Sequence, residues 1–486
     1  MLIQINTKVL GMLFNSLEFL IFLPIVVFMY YLFIKKRWVL GSKIWLLFAS
    51  IFFYAFWNPR YLPLLLFSIL VNWLLGRILL SRKSKLLLTF GIFLNVLLLA
   101  IFKYTDFFID NINYLFHTQL PLQNILLPLA ISFFTFQQIA YLVDAYKGNV
   151  AHKYNLLTYA LFVCFFPQLI AGPIVAHYEM LPQFARKRSL CKNYQNIFIG
   201  LLIFTIGFFK KIVLADTFAQ CATAGFDRVE SLTLIGGWVT SLSYTLQIYF
   251  DFSGYCDMAL GCAKMFNIVL PVNFNSPYKA RDIQDFWRRW HITLSRFLRD
   301  YLYIPFGGNK KGELRTYTNV VLVFLIGGLW HGAAWTFVIW GILHGLANVI
   351  FRLWKKTGLH LNKFFAWFIM FNFINFSWIF FRAKSFASAF KVLKSMFDFS
   401  SLSNLPAFRA KYYLEGFEVR SSILYKIIAM ILVCVILPNS IELVQKCKIT
   451  NPKTARLYGF GLAVAFLFLL AEMLIIPYSE FIYFNF

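Results

Sequence analysis

Apolar runs long enough to cross a hydrocarbon core, about 20 residues each, recur from one end of this 486-residue chain to the other. The pattern predicts membrane spans at roughly 14–34, 38–57, 61–80, 86–102, 125–145, 156–175, 196–214, 232–250, 254–270, 317–334, 335–351, 364–381, 423–441 and 457–477. The segments 156–175 and 254–270 carry Pro, Gly or polar residues at mid-depth. Some of the set are therefore re-entrant or interfacial, and about 11 to 13 full crossings remain. The fold class that follows is all-α: a polytopic membrane protein whose residues 1–486 form one membrane domain, with no internal repeat, soluble domain or low-complexity linker. The first run, Phe14 to Ile34, is preceded by a single basic residue and by no small-residue cleavage site, so it reads as a retained first helix rather than a signal peptide. A second methionine, Met12, directly precedes it and is an alternative translation start, which an intact mass that includes Met1 to Gly11 would reject.

Composition agrees with the pattern. Sixty per cent of the residues are hydrophobic and 14% charged, whereas a soluble domain is about half apolar and a quarter charged. The formal charge of +26 would raise the question of nucleic acid in a soluble protein. Here the Lys and Arg stand in short clusters between apolar runs, which is the positive-inside pattern with anionic lipid headgroups as the partner, and no nucleic acid is expected. Clusters at Lys35 to Arg37, Arg82 to Lys85, Arg186 to Arg188, Arg281 to Arg299, Lys310-Lys311, Arg352 to Lys356 and Lys446 to Lys453 are assigned to the cytoplasm. Both termini then lie outside, as do Arg382, Lys384, Lys391 and Lys394, in a long loop where the charge rule is weak. The cysteines at 164, 191, 221, 256, 262, 434 and 447 are odd in number and form no CxxC pair, so they predict packing roles, with no disulfide framework and no metal site.

Most polar residues suited to chemistry fall between Gln247 and His344, and the catalytic core is therefore placed at about 125–351. From Arg281 to Phe306, apolar residues recur at helical spacing while Arg288, Arg289, Arg296 and Arg299 fall mainly on the other side. Such a helix would lie in the cytoplasmic interface, its arginines meeting headgroups or an anionic cofactor. His291 falls with the apolar stripe and faces inward, where a buried imidazole needs a partner. Further on, Gly327-Gly328-Leu329-Trp330-His331-Gly332 interrupts an apolar run. Fourteen residues of helix beyond the basic side carry His331 to a depth of about 21 Å. Flanking glycines would let a substrate approach closely, and an ordinary imidazole, titrating at about 6.5, suits a general base at neutral pH.

Spacing alone leaves His331 evenly divided between a base and a histidine that merely bonds a neighbouring helix. Packing is the stronger alternative for His291. His344 reads as structural or supporting, and His117, His152, His177 and His360 as loop or interface residues. Asp251 and Asp257 sit six residues apart in an apolar stretch; structural support is the expected role, whether orienting imidazoles or capping a helix broken at Gly254. The chain has no P-loop, HExxH or GxSxG sequence and no strand-borne GxGxxG, so nucleotide hydrolysis, metalloprotease and serine-hydrolase chemistry lack their minimum parts.

The stretches FFPQLIAGPI (165–174), QIYFDFSGYCDMALG (247–261), NFNSPYKARDIQDFWRRWHITLSRFLRDYLYIPFGGN (273–309) and GGLWHGAAWTFVIWGILHG (327–345) together resemble the membrane-bound O-acyltransferase superfamily. The closer resemblance is to the bacterial alginate O-acetylation and peptidoglycan O-acetyltransferase branch, and it runs from FNSLEFLIFLP (14–24) to the terminal FIYFNF (481–486). The resemblance implies a helical domain around a central tunnel, with His331 catalytic and His291 its companion. Trp330, Trp290, Asn273, Asp251, Ser253, Asp257, Arg288 and Arg289 are the candidates for support or for lining the passage. It also implies acetyl transfer from a cytoplasmic acyl donor, acetyl-CoA, with no permanently bound cofactor. The acceptor would be a polysaccharide or peptidoglycan hydroxyl beyond the bacterial inner membrane, reached through a periplasmic SGNH-type acetyltransferase. A sister branch moves D-alanyl groups and shares both histidines; the FGGN turn (306–309) and the GELRTYTN stretch (312–319) fit the acetylating branch better. Thr293 and Cys256 stand where serine is common, both small departures. A transporter would show inverted repeats, which the sequence lacks, and it would leave both histidines expendable, as would a scaffold that only anchors a partner.

Overall fold

A computed structural model of the chain describes residues 12–170, 172–402, 422–446, 452–475 and 482. The Met1 to Gly11 stretch, Cys447, most of the 446–453 cluster and the terminal FIYFNF apart from Ile482 lie outside the described residues.

The chain begins with α1 (Leu17–Lys35), α2 (Val39–Trp57), α3 (Leu62–Ser81) and α4 (Lys85–Leu99). Ser16 starts α1 by accepting the Phe19 N–H on its hydroxyl. Phe28, Phe48, Phe67 and Phe93 stand exposed along these helices, a placement that is neutral in lipid because acyl chains are as apolar as the side chains. The inward faces carry polar contacts instead. Asn95 donates to Asn72 at 2.7 Å and joins α4 to α3, the kind of bond that holds helices together where no hydrophobic force acts.

The span expected at 86–102 is longer than its apolar run. It passes through a wide π-turn, Ala100–Tyr104, into α5 (Thr105–Phe116), so one continuous element covers 85–116. Next come α6 (Ile131–Lys147) and the short helices α7 (Leu156–Cys164), α8 (Phe166–Leu169) and α9 (His177–Met180). The 156–175 segment is thus broken at Phe165 and too short to cross, in line with a re-entrant reading.

The centre is built on α10 (Tyr194–Phe209), which runs through a second π-turn, Lys210–Ala215, into α11 (Asp216–Thr223), and on α12 (Leu234–Met265). Here the structure corrects the sequence: the spans expected at 232–250 and 254–270 are one helix of 32 residues, with no break at Gly254. Gly254 serves close packing. Gly200 faces Gly261 and Gly207 faces Gly254, so that a Cβ on Gly200 or Gly207 would meet the opposing carbonyl oxygen at 2.6 and 2.5 Å. Small residues paired this way let two backbones touch, a common device where helices associate in lipid.

The remaining helices are α13 (Ile283–Arg289), α14 (Ile292–Leu298), α15 (Glu313–His331), α16 (Trp335–Lys356), α17 (Lys363–Arg382), α18 (Phe386–Ser395), α19 (Ser422–Ile436), α20 (Ser440–Lys446) and α21 (Pro452–Ile475). Among the described residues no strand occurs, and 8 helices are long and apolar enough to cross a membrane, 9 if the α19–α20 pair, bent by 57°, is counted as one. That is fewer than the expected 11 to 13. The difference comes largely from α6, which at 17 residues is too short, and from α12 and α15, which carry too many polar groups; α6 and α12 are buried over most of their length, with other helices rather than lipid around them.

Candidate active site

His331 is the last residue of α15, and the chain reverses through 332–334 into α16. The two helices pack closely because Gly328 lies against the Phe337 carbonyl and Gly341 against that of Phe324. The glycines before His331 therefore serve helix packing. Only Gly332, beyond it, joins the cavity wall as the sequence reading expected of the whole set.

The 281–306 stretch is not the continuous helix that its periodicity predicts. It breaks at His291, whose φ of 44° is left-handed, a conformation that costs a residue with a Cβ roughly 1–2 kcal/mol. Asn273 holds the break in place. Its Oδ1 accepts from His291 Nδ1 at 3.2 Å, from the Thr293 backbone N–H at 3.2 Å and from the Thr293 hydroxyl at 3.0 Å, while its own carbonyl accepts from Ile292 N at 3.0 Å. Thr293 Oγ1 in turn accepts the Ile174 N–H at 3.0 Å. An oxygen on which donors converge is an acceptor, so Nδ1 carries the imidazole proton and Nε2 keeps its lone pair. The strained turn brings the His291 ring to 6.4 Å from that of His331, centroid to centroid, with Trp330 at 6.2 and 4.9 Å from the two. Residues 40 apart in sequence thus form one site.

A cavity of about 700 Å³ opens at the C-terminal end of α15. His331, Gly332, Phe337, Phe381, Tyr244 and Gln247 line it, with Lys103, Asp106, Arg382 and Lys384 supplying charge. A second cavity, of about 570 Å³, lies beside the middle of α15 and is lined by Arg288, Arg296, Arg299, Arg352, Gln284 and Ser295, with Trp287 and Phe324 at its wall. The two linings share no residue. Trp340, almost wholly buried, stands between them, its ring 5.9 Å from Trp287, 5.2 Å from His331 and 5.1 Å from Phe381. The passage implied by the resemblance is therefore, in this structure, two cavities parted by an aromatic wall.

The other candidates separate into groups. Trp330 stacks on Phe136 at 5.2 Å and touches both histidines. Trp290 is packed away from them, among Phe274, Tyr278 and Trp378. Asp251 pairs with Lys211 at 2.8 Å and accepts the Ile482 N–H at 2.9 Å; Asp257 pairs with Lys210 at 2.6 Å. These carboxylates tie α12 to the π-turn after α10, and they neither orient an imidazole nor cap a broken helix. Ser253 lines a small closed cavity with Asp257 and Asn273. Arg288 borders the arginine-lined cavity, whereas Arg289 is 2.9 Å from Asp285, one turn back on its own helix.

His344 has both nitrogens engaged: Trp287 Nε1 donates to Nδ1 at 3.2 Å, and Nε2 donates at 3.1 Å to Ser377, whose own proton goes to the Ile374 carbonyl. That is the supporting place the sequence reading assigned it. His177 departs from the expectation of a loop or interface residue. It is buried 3.3 Å from Asp144, a carboxylate that also accepts the Tyr301 hydroxyl at 2.6 Å. Sequence reasoning missed Trp340, which reads as one more apolar residue of a span, and Lys103 and Tyr104, which fall just past the predicted span 86–102.

The chain is thus a helical membrane domain in which two imidazoles lie buried 6.4 Å apart, one of them, His331, on the wall of a cavity. The MBOAT, membrane-bound O-acyltransferase, family matches residues 98–390, and the chain belongs to it. It is an O-acyltransferase and a multi-pass membrane protein. The chain is 47% identical to a peptidoglycan O-acetyltransferase of Helicobacter pylori over 99% of this chain and 98% of that protein. It is 37% identical to a probable alginate O-acetylase of Pseudomonas aeruginosa over 85% of this chain and 80% of that one. Likeness extends more weakly to a teichoic acid D-alanyltransferase of Bacillus subtilis, at 27% identity over 55% and 71% of the two chains.

Proposed function

We propose that this protein moves acetyl groups across the bacterial inner membrane, from acetyl-CoA in the cytoplasm to hydroxyls of peptidoglycan outside, handing them on with a periplasmic SGNH-type partner. The full-length likeness to a peptidoglycan O-acetyltransferase favours that acceptor over other polysaccharides. The arginine-lined cavity lies among the residues that the positive-inside rule assigns to the cytoplasm, and its guanidinium groups suit a donor that carries phosphates. The cavity at His331 is the acceptor side.

His331 removes the proton of the acceptor hydroxyl as its oxygen attacks the thioester carbonyl. The C–O bond forms, the C–S bond breaks, and the proton passes to the leaving sulfur as CoA thiol. His291, its Nδ1 held by Asn273, places the donor or acceptor through Nε2. The aromatic wall keeps water from the thioester until both substrates are seated, so that proximity rather than hydrolysis decides its fate.

The observation that carries this reading is His331 on the wall of the cavity with His291 beside it. The test is a strain lacking its own enzyme, expressing the full chain, permeabilised and fed labelled acetyl-CoA, with ester-linked label counted in purified peptidoglycan. H331A is expected to remove incorporation while leaving the amount of inserted protein unchanged. Turnover retained in H331A would eliminate the assignment.

A further inference from the structure

The residue at the heart of the site ends a helix, and a helix end leaves four carbonyls without intrahelical donors. In α15 those carbonyls belong to Gly328, Leu329, Trp330 and His331. The first is met locally, by Gly332 N at 3.3 Å. The rest are met from one place. Tyr104 donates its hydroxyl to the Leu329 carbonyl at 2.6 Å. Lys103 Nζ donates to the carbonyls of Trp330 and of His331, the latter at 3.2 Å, and reaches the Ser132 hydroxyl at 3.4 Å. The ammonium also lies 5.9 Å from the Trp330 ring centroid.

We infer that Lys103 and Tyr104 form a side-chain cap on α15 that sets the position of His331, and that they are positioning residues for acyl transfer. The inference rests on the reading of His331 as the base. Several features fit this role. An ammonium has three donors, and in this structure two face the last carbonyls of α15 and the third faces the Ser132 hydroxyl, which leaves none for an oxyanion. A cation is the charge that a helix C-terminus favours. Both residues belong to the π-turn Ala100–Tyr104, whose added width brings two consecutive side chains to bear on the same helix end; such turns are frequent at functional sites. Lys103 also lines the cavity that His331 lines. One turn on, Asp106 accepts the backbone N–H groups of Gln123 and Asn124 at 2.7 and 2.9 Å, so the element that fixes the base also ties down the segment carrying Ile125 and Leu127, which border the same cavity.

The permeabilised-cell assay tests the proposal, with kcat expressed per folded molecule and KM for acetyl-CoA measured separately. K103M is expected to lower kcat by about tenfold to a hundredfold, since displacing a reacting group by about 1 Å has that effect, with KM within about twofold. K103R, which keeps a cation able to bond carbonyls, should recover most of the loss. Y104F should lower kcat by about threefold to tenfold, in proportion to one neutral hydrogen bond. A K103M enzyme with wild-type kcat overturns the proposal, and so does a K103R enzyme no better than K103M. If K103M does not accumulate, Y104F decides, and a wild-type kcat there overturns it. H331A separates the two readings: if it stays active, the base was misassigned, whereas a dead H331A beside a normal K103M removes only the cap.

Discussion

Single side chains in this protein divide into those that reach a cavity and those that are consumed by other side chains. Asn273 is consumed in holding His291. Its carboxamide oxygen collects three bonds at the strained turn of His291, so N273A should release the ring without touching His331. A kcat lower by about tenfold to a hundredfold, with the protein still inserted, is the expected outcome; an unchanged kcat would remove His291 from the site. Lys211 is the opposite case. Nearly unexposed, it stands 2.8 Å from both Asp216 and Asp251. K211M would strand two buried carboxylates, and breaking buried pairs costs about 3–5 kcal/mol. The loss should appear as lowered thermal stability in detergent, with whatever protein remains folded turning over normally.

Among the elements, backbone contact sets the geometry. The α10–α12 pair meets glycine to glycine, and the α15–α16 pair meets through Gly328 and Gly341. G207V would drive a side chain into the Gly254 carbonyl. Overpacking of this sort costs about 1–3 kcal/mol, read as a lower melting temperature than that of a variant at an exposed lipid-facing position such as F67L. Pairing of this kind also explains why a glycine at mid-helix misleads. Gly254 has the sequence appearance of a breaker, yet inside α12 it is the place where another helix fits.

Over the whole molecule the charge pattern and the two cavities bear on one question, the direction of transfer. Four arginines border the cavity beside the middle of α15. Two of them have carboxylates close by, Arg296 with Glu179 at 2.6 Å and Arg299 with Asp300 at 2.6 Å, while Arg288 stands exposed at the rim. R288E should therefore raise KM for acetyl-CoA about threefold to thirtyfold and leave kcat nearly unchanged, the result of reversing one charge at a partly screened site. A KM independent of that reversal would place the donor elsewhere.

The all-α membrane class and the spans at both ends of the chain were legible in the sequence, as was the crowding of polar residues between 247 and 344. They follow from local hydrophobicity and from the rarity of polar groups in apolar runs, and neither depends on distant partners. The motif residues also marked His291 and His331 as a pair. Tertiary structure alone decided the rest. It joined two expected spans into α12, because burial by other helices shields polar groups that lipid would expel. It turned Asp251 and Asp257 into lysine partners, and it broke the arginine-rich helix at His291, because an asparagine on a preceding loop offers bonds that periodicity cannot register. It also brought Lys103 and Tyr104, more than 220 positions away in sequence, to the end of the helix that carries His331. A carbonyl left open by a helix end accepts any donor the fold delivers, and hydropathy carries no information about which one arrives.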